Sequence, residues 1–173
     1  MDSRKGELAM RKRGAVIALA CGGSLIAASP VANAGFGKKL TSGPGAAKIV
    51  QRFDNMNWAD NTALREGNAR FGRQHIAKGG STGNKSNHEL TATAKALWVK
   101  AMNNVQKGSW VEVYKGGTKS TYKYKLKDGT KRTMCVLNES KDFIYGGKNY
   151  GPKGIITAYW VKGHVGPIGC SKG

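Results

Sequence analysis

The chain has 173 residues, of which 29 are Lys or Arg and 10 are Asp or Glu, so its formal net charge is +19. A charge this positive is typical of a protein that meets a polyanion: nucleic acid, an acidic membrane or a cell-wall polymer. The few acidic residues show no pairing that suggests the two placed carboxylates of a glycan hydrolase.

The first 34 residues predict an export signal. A basic segment at residues 11–13 precedes an apolar run at residues 14–28, and residues 29–34 place small side chains at the −3 and −1 positions of a cleavage site. The apolar run is shorter than the roughly 20 residues that a membrane span needs, so we expect cleavage after Ala34 and a secreted chain without a stable membrane span. Because the signal removes five basic and two acidic side chains, residues 35–173 keep 24 basic and 8 acidic ones, a net charge of +16.

Two of the three cysteines remain after cleavage. Cys21 leaves with the signal; lipidation there is an alternative, although Ala18 stands where a lipid-attachment signal usually has Leu. In an oxidising compartment, Cys135 and Cys170 predict one disulfide that pins the C-terminal tail to the domain, and two separate thiols are the alternative. The cysteines and three scattered histidines lack the paired spacings of a zinc site, so we expect no metal and no cofactor.

The first half of the remaining chain predicts helices. Residues 35–68 form a basic leader and a short helical segment, in which an apolar face over residues 46–70 predicts one or two short helices, with Asp60 as a cap. An amphipathic stripe with steps of three and four predicts the main helix over residues 88–106, capped by Asn87. The stripe consists of Leu90, Ala94, Leu97, Trp98, Ala101, Met102 and Val105.

After the main helix the pattern changes to the two-residue period of β-strands. Alternating or β-prone segments begin at Ser109, Ser120, Arg132 and Gly154, and Asp128-Gly129 is a hairpin signal. The order predicts an α+β fold: N-terminal helices, then a small antiparallel sheet of about four strands with the main helix packed on one face. A chain of this length is one domain, and we expect a monomer.

Two short motifs and the basic strands between them, within residues 70–162, resemble a group of small nuclease toxins. The motifs are residues 73–76 (Arg-Gln-His-Ile) and the last strand, which reads Gly-Ile-Ile-Thr-Ala-Tyr over residues 154–159. The group shares the architecture of barnase, bacterial EndoU, colicin D and RelE. Two features depart from its pattern: Trp160 stands where Pro usually follows the Tyr, and residues 80–81 lack the second His of EndoU-like members.

The resemblance implies that residues 69–173 form a secreted, metal-independent endoribonuclease domain. It also implies an antibacterial toxin with RNA as its substrate, tRNA among the candidates, and an immunity protein as a neutralising partner. Cleavage by the RNA's own 2′-hydroxyl needs a base, an acid and donors for the charge that gathers on phosphate. The candidate catalytic residues are His75, Arg132, Thr157, Tyr159 and His164.

Each candidate has a stated role. His75 is the base because only His titrates near neutral pH unperturbed, and His164 is the candidate acid, with the identity of the acid left open. Thr157 and Tyr159, two residues apart on a strand, are expected to present two hydroxyls on one face, with the intervening and preceding residues on the other. Arg132 is the expected middle-strand cation, and Lys131 and Lys123 are the alternatives.

Basic side chains near these positions are candidates for contact with the phosphate backbone. They are Arg70, Arg73, Lys78, Lys123, Lys125 and Lys131. Tyr122 and Tyr124 alternate with lysines, so they are expected either in the core beneath a cationic face or on an open face that stacks bases.

A non-enzymatic function is the main alternative. A cationic secreted protein would bind an anionic membrane or cell-wall polymer through charge alone. Its activity would survive His75→Ala and fall gradually as lysines are removed, whereas catalysis would be lost with the one histidine.

Overall fold

The computed structural model describes residues 43–53, 62–114 and 116–170. The expected export signal, the basic leader up to residue 42 and Asp60 lie outside the described residues. No helix in the described ranges is long and apolar enough to cross a membrane.

The described elements run in the following order. The first half contains α1 (Pro44–Ala47), β1 (Ile49–Phe53), β2 (Thr62–Arg65), α2 (Gly72–Ala77), a 3-10 turn (Lys85–Asn87) and α3 (Ala92–Met102). The second half contains β3 (Trp110–Tyr114), β4 (Gly117–Lys125), β5 (Lys131–Tyr145), β6 (Lys148–Lys162) and a 3-10 turn (Pro167–Gly169). The fold is therefore α+β, with a two-stranded sheet and a four-stranded antiparallel sheet in the order β3-β4-β5-β6.

The helices expected over residues 46–70 are wrong where the structure describes strands, at residues 49–53 and 62–65. Within the described residues 46–53 and 62–70, only the end of α1 is helical, and β1 and β2 pair as an antiparallel hairpin. Burial along β1 follows the two-residue period, since Ile49 and Gln51 are half-buried, Phe53 is buried, and Val50 and Arg52 between them are exposed. Adjacent β-branched Ile49 and Val50 favour this extended conformation.

The main helix is confirmed but shorter than expected. It begins at Thr91, whose hydroxyl accepts a hydrogen bond from the Ala94 amide at 3.1 Å, which makes Thr91 the N-cap in place of Asn87. Asn87 lies in the preceding 3-10 turn, and its side-chain amide donates to the Trp160 carbonyl at 3.1 Å. At the other end the helix stops at Met102, before Asn104 adopts a φ of 50°.

The core lies between α3 and one face of the larger sheet. Trp98 is fully buried, and its ring centroid lies 5.8 Å from that of Phe53. The buried sheet residues of this core are Met134, Val136, Ile155 and Ala158. Tyr122 and Tyr124 pack against the same cluster, so of the two expectations for these tyrosines the structure places them in the core.

Arg65 connects the hairpin to the last strand. Its guanidinium donates to the Pro152 carbonyl at 2.8 Å, to the Tyr150 carbonyl at 2.7 Å and to the Ala47 carbonyl. Three carbonyl acceptors satisfy this buried cation, and they fix α1 and β2 against β6.

Gly154 lets β2 approach β6 closely. Its φ is +75°, and a Cβ at this position would lie 2.0 Å from the Ala63 carbonyl oxygen. Gly129, in the β4–β5 turn, has a similar φ of +83° but no atom within 4 Å of a built Cβ. An alanine at Gly129 would incur only the cost of the backbone conformation, whereas an alanine at Gly154 would also clash with β2.

We predict that Gly129→Ala lowers the free energy of unfolding by about 1–2 kcal/mol, the cost of a left-handed conformation in a residue with a Cβ. Gly154→Ala is expected to lower it by about 4 kcal/mol or more, because the backbone of β2 must also move. Urea unfolding of both variants measures the difference. Equal losses would contradict the close approach of Ala63 to Gly154.

Candidate active site

A β-bulge in the last strand shapes one side of the larger sheet. Leu137 pairs with Thr157 and Asn138 pairs with Ile155, so Ile156 is an extra residue in β6. The expected alternation of this strand is therefore wrong at one position: Ile156 lines the same pocket as Thr157 and Tyr159. Ala158 faces the opposite side and is buried in the core, as the alternation predicted.

This pocket has a volume of about 160 Å³. Its lining comes from α2 and the loops on either side of it and from β4, β5 and β6. The residues that line it are Arg70, His75, Ser81, Lys119, Cys135, Val136, Leu137, Ile156, Thr157 and Tyr159. Four of the residues predicted from sequence are thus brought together: His75, Thr157, Tyr159 and Arg70.

His75 is held as a neutral base. It lies on α2 with 4 % of its surface exposed, and its Nδ1 is 2.8 Å from the Ala69 carbonyl oxygen. A carbonyl only accepts, so the neutral ring carries its proton on Nδ1 and leaves Nε2 unprotonated. Burial lowers the pKa of His75, opposed by the Ala69 hydrogen bond and assisted by the charge of Lys78. The imidazole is therefore neutral at neutral pH.

Thr157 places an unsatisfied hydroxyl at the pocket. The side chain is 5 % exposed, and its Oγ1 has no hydrogen-bond partner among the described residues. Native proteins rarely leave a buried hydroxyl unpaired, because doing so costs about 1–3 kcal/mol. A ligand atom in the pocket that accepts from this hydroxyl would recover that cost.

Tyr159 is fixed from two sides. It packs in a buried cluster with Cys135 and Cys170, and its ring stacks on His88 with centroids 5.3 Å apart. The Nδ1 of His88 is 2.7 Å from the Asn84 carbonyl oxygen, so His88 is itself anchored. His88 positions the ring of Tyr159, a role that its place before a helix did not reveal, because the two residues are distant in sequence.

The pocket cation on the middle strands is Lys119. Lys119 pairs with Leu137, which pairs with Thr157, so these three residues form one row across β4, β5 and β6. The Lys119 ammonium donates to the Cys170 carbonyl at 2.8 Å. Sequence reasoning missed Lys119 because several lysines alternate along β4 and only the register distinguishes this one.

The structure does not bring Arg132 to this pocket. Its guanidinium lies 3.6 Å from the centroid of the Trp160 ring. Arg132 is two residues from buried Met134 and therefore shares the helix-facing side of the sheet. The strand cation that lines the pocket is therefore Lys119 of β4 and not Arg132 of β5.

The other predicted residues also lie elsewhere. The Nε2 of His164 is 3.0 Å from the Tyr124 carbonyl oxygen, and this exposed ring lies outside the pocket. Arg73 forms an ion pair with Glu66, which raises the pKa of Arg73 and lowers that of Glu66. Lys78 ends α2 beside His75. The three predicted strand lysines, Lys123, Lys125 and Lys131, are exposed on β4 and β5.

The predicted disulfide between Cys135 and Cys170 is confirmed. The two Cα atoms are 6.1 Å apart, and each residue is 1 % exposed. Since Cys135 lines the pocket and Cys170 ends the described chain, the bond holds the C-terminal tail beside the pocket.

Comparisons of this chain with protein-family models, with curated proteins and with solved structures found no match. Within the described ranges, no group of three or more His, Cys, Asp or Glu side chains is placed to hold a metal ion.

The buried histidines predict a stability that depends on pH. Burial lowers the pKa of both His75 and His88 in the folded state, and the charge of His75 lowers that of His88 further. The unfolded chain, in which His titrates near pH 6.5, therefore binds more protons than the folded one as the pH falls. We expect stability to be complete above about pH 6.5 and to decrease below it.

His88→Gln tests this contribution. The variant should lose part of the slope of unfolding free energy against pH between about pH 7 and pH 5, whatever its stability at neutral pH, because one buried titrating group is gone. Exposed His164→Gln is the matched control and should keep the slope. Denaturant unfolding at several pH values measures it, and an unchanged slope in His88→Gln would refute the prediction.

Proposed function

We propose that residues 69–173 form a metal-independent endoribonuclease. The observation that carries the proposal is the grouping, in one pocket, of a neutral His75, the unpartnered Thr157 hydroxyl and the cations Arg70 and Lys119. In this reaction the ribose 2′-hydroxyl attacks the adjacent phosphodiester. The attack requires a base, a hydroxyl donor and positive charge near the phosphate.

The reaction needs one proton acceptor and one proton donor. His75 Nε2 takes the proton of the ribose 2′-hydroxyl, and the 2′-oxygen forms a bond to phosphorus as the bond from phosphorus to the 5′-oxygen breaks. The departing 5′-oxygen takes a proton from the Tyr159 hydroxyl or from water. The products are a 2′,3′-cyclic phosphate and a 5′-hydroxyl, and no water is consumed.

The charge on the phosphate oxygens rises during this step. Lys119 and Arg70 supply positive charge, and the Thr157 hydroxyl supplies a donor that is already desolvated in the unliganded protein. Donors that are fixed before the reaction stabilise such charge more effectively than water does, since they need not reorient.

The proposed ribonuclease is exported and acts as a toxin against other bacteria. The N-terminal segment reads as a cleavable signal, and a buried disulfide is compatible with an oxidising compartment. A ribonuclease released against other bacteria would require an immunity protein in the producing cell, so an acidic protein that covers the basic pocket is the proposed partner.

One observation favours the non-enzymatic alternative. Lys123, Lys125 and Lys131 are exposed on β4 and β5 and lie outside the pocket. Such lysines would bind an anionic polymer through counterion release, with an affinity that decreases steeply as salt rises.

His75→Ala distinguishes the two functions. In EDTA we expect residues 35–173 to cleave total RNA or tRNA, and the variant to be slower by about 10²–10⁴-fold, the usual contribution of a general base. His164→Ala is the matched control and should keep wild-type activity. Equal activity in all three proteins would exclude His75 from catalysis, and salt-sensitive binding without cleavage would favour the charge-based function.

The pH profile of the wild type adds a second test of His75. Since burial lowers its pKa, the acid limb of kcat/KM should have its midpoint below 6.5, the ordinary value for a histidine. A midpoint above 6.5 would contradict a buried, neutral base.

Thr157→Val tests the hydroxyl separately from the fold. We expect kcat to fall by about 100-fold, as when one donor to a developing charge is removed. Stability should stay the same or rise, because the variant replaces an unsatisfied buried hydroxyl with a methyl group of similar size. Thermal unfolding and RNA cleavage measure the two effects, and a loss of stability that parallels the loss of activity would contradict this role.

A further inference from the structure

The C-terminal tail is attached to the pocket side of the larger sheet at several points. The Thr133 hydroxyl donates to the Gly163 carbonyl at 2.8 Å and accepts from the Val165 amide at 3.0 Å. Further along, the disulfide joins Cys170 to Cys135 in β5. The described tail, residues 163–170, is therefore attached to β5 near both of its ends.

The tail also supplies the acceptor for the pocket cation. Lys119 is half-buried, and the hydrogen-bond partner of its ammonium in the described structure is the Cys170 carbonyl at 2.8 Å. A lysine has a long flexible stem, so the direction of its charge depends on the acceptor that holds it. Here that acceptor belongs to the same residue that forms the disulfide.

We propose that the Cys135–Cys170 disulfide positions Lys119 for catalysis, so that the site is complete only in the oxidised protein. The inference rests on the proposed ribonuclease function and assigns the disulfide a role in it. Lys119 is the catalytic cation that contacts the phosphate, and Cys170 is a positioning residue that acts through Lys119.

Reduction should act on the tail more than on the sheet. Cys135 lies in the middle of β5, which pairs along its length with β4 and β6 and contributes to the core. The tail after Gly163 has a few hydrogen bonds and one short 3-10 turn. Breaking the bond removes a cross-link between residues 35 positions apart and leaves the tail held by these few contacts.

The consequence concerns where the enzyme is active. The cytosol keeps thiols reduced and exported proteins form disulfides, so the chain would lack its placed cation before export and gain it afterwards. Redox state would thus limit the activity inside the producing cell, in addition to any immunity protein.

The test compares the oxidised protein, the protein reduced with dithiothreitol, and Lys119→Met in both states. Dithiothreitol converts the disulfide to two thiols and is itself oxidised to its cyclic disulfide. We expect reduction and Lys119→Met each to lower kcat by at least about 10-fold. Combined, they should lower it no further than either alone, because both remove the same interaction. The acid limb of the pH profile should not move, since Ala69 and not the tail holds His75.

Losses that multiply would overturn the proposal, as would a reduced protein that cleaves RNA at the oxidised rate. If near-UV circular dichroism shows that the reduced protein unfolds, oxidised Lys119→Met decides: a wild-type kcat refutes the role of Lys119, and a loss supports it. Lys141→Met is the matched control, because Lys141 is exposed on the neighbouring strand β5 and lies outside the pocket, and it should retain wild-type kcat.

A measurement without RNA separates this proposal from the ribonuclease itself. Modification of amines by acetic anhydride, followed by mass spectrometry, should be slow at Lys119 in the oxidised protein and rise on reduction towards the rate at Lys123. If oxidised protein cleaves no RNA, the ribonuclease proposal fails while the labelling still reports whether the disulfide holds Lys119. An unchanged labelling rate at Lys119 would refute the positioning.

Discussion

The guanidinium of Arg65 fixes the geometry on which the pocket depends. Its contacts with the carbonyls of Ala47, Tyr150 and Pro152 join three segments that are far apart in the chain. A planar, permanently charged donor fork can satisfy several carbonyls at once, which a lysine ammonium in the same place would do with less directional constraint. β6 carries Thr157 and Tyr159, which line the pocket. The Arg65 contacts therefore fix the position of the β1–β2 hairpin relative to this strand.

Glu66, the next residue, extends the joint to α2. Its carboxylate accepts from Arg73 at 2.9 Å and from the Gln74 side chain at 2.9 Å, and its amide donates to the Lys48 carbonyl at 2.7 Å. His75 follows directly on the same helix, with its ring held by Ala69. His75 is thus placed by a chain of contacts that begins at the last strand, and a shift of that strand would move His75 and the Thr157 hydroxyl together.

Charge serves two different purposes on this protein. In the proposed function, the exposed lysines of β4 and β5 give a general attraction for polyanions that salt screens readily. Lys119, half-buried and bound to a backbone carbonyl, has a defined position, and Leu137 separates it from Thr157 in one row across the sheet. The proposed attraction depends on the number of cations, whereas the proposed catalysis depends on the position of one of them, and mutation separates the two properties.

Composition and period determined the class of fold. The change from a helical stripe to two-residue alternation after residue 107 predicted α3 and four antiparallel strands, because each period reports which side of an element is buried. The two cysteines that remain after the expected cleavage predicted the disulfide, because only one pairing between them is possible. The prediction of helices from local pattern was wrong at residues 49–53. A short apolar segment fits a helix or a strand equally well, and pairing with β2 decided the outcome.

The candidate site shows the same division. His75, Thr157 and Tyr159 were candidates because their motifs resemble those of the nuclease-toxin group and their side chains suit the chemistry. Arg132 was expected as the middle-strand cation and Ile156 on the opposite face, and both expectations failed because they depend on strand register and on the bulge in β6. Register is set by contacts between strands that are distant in sequence, and a shift of one residue changes the face on which a side chain lies. The sequence by itself thus determined the fold class and the candidate groups, and only the tertiary structure, through strand register, decided which of those groups share one pocket.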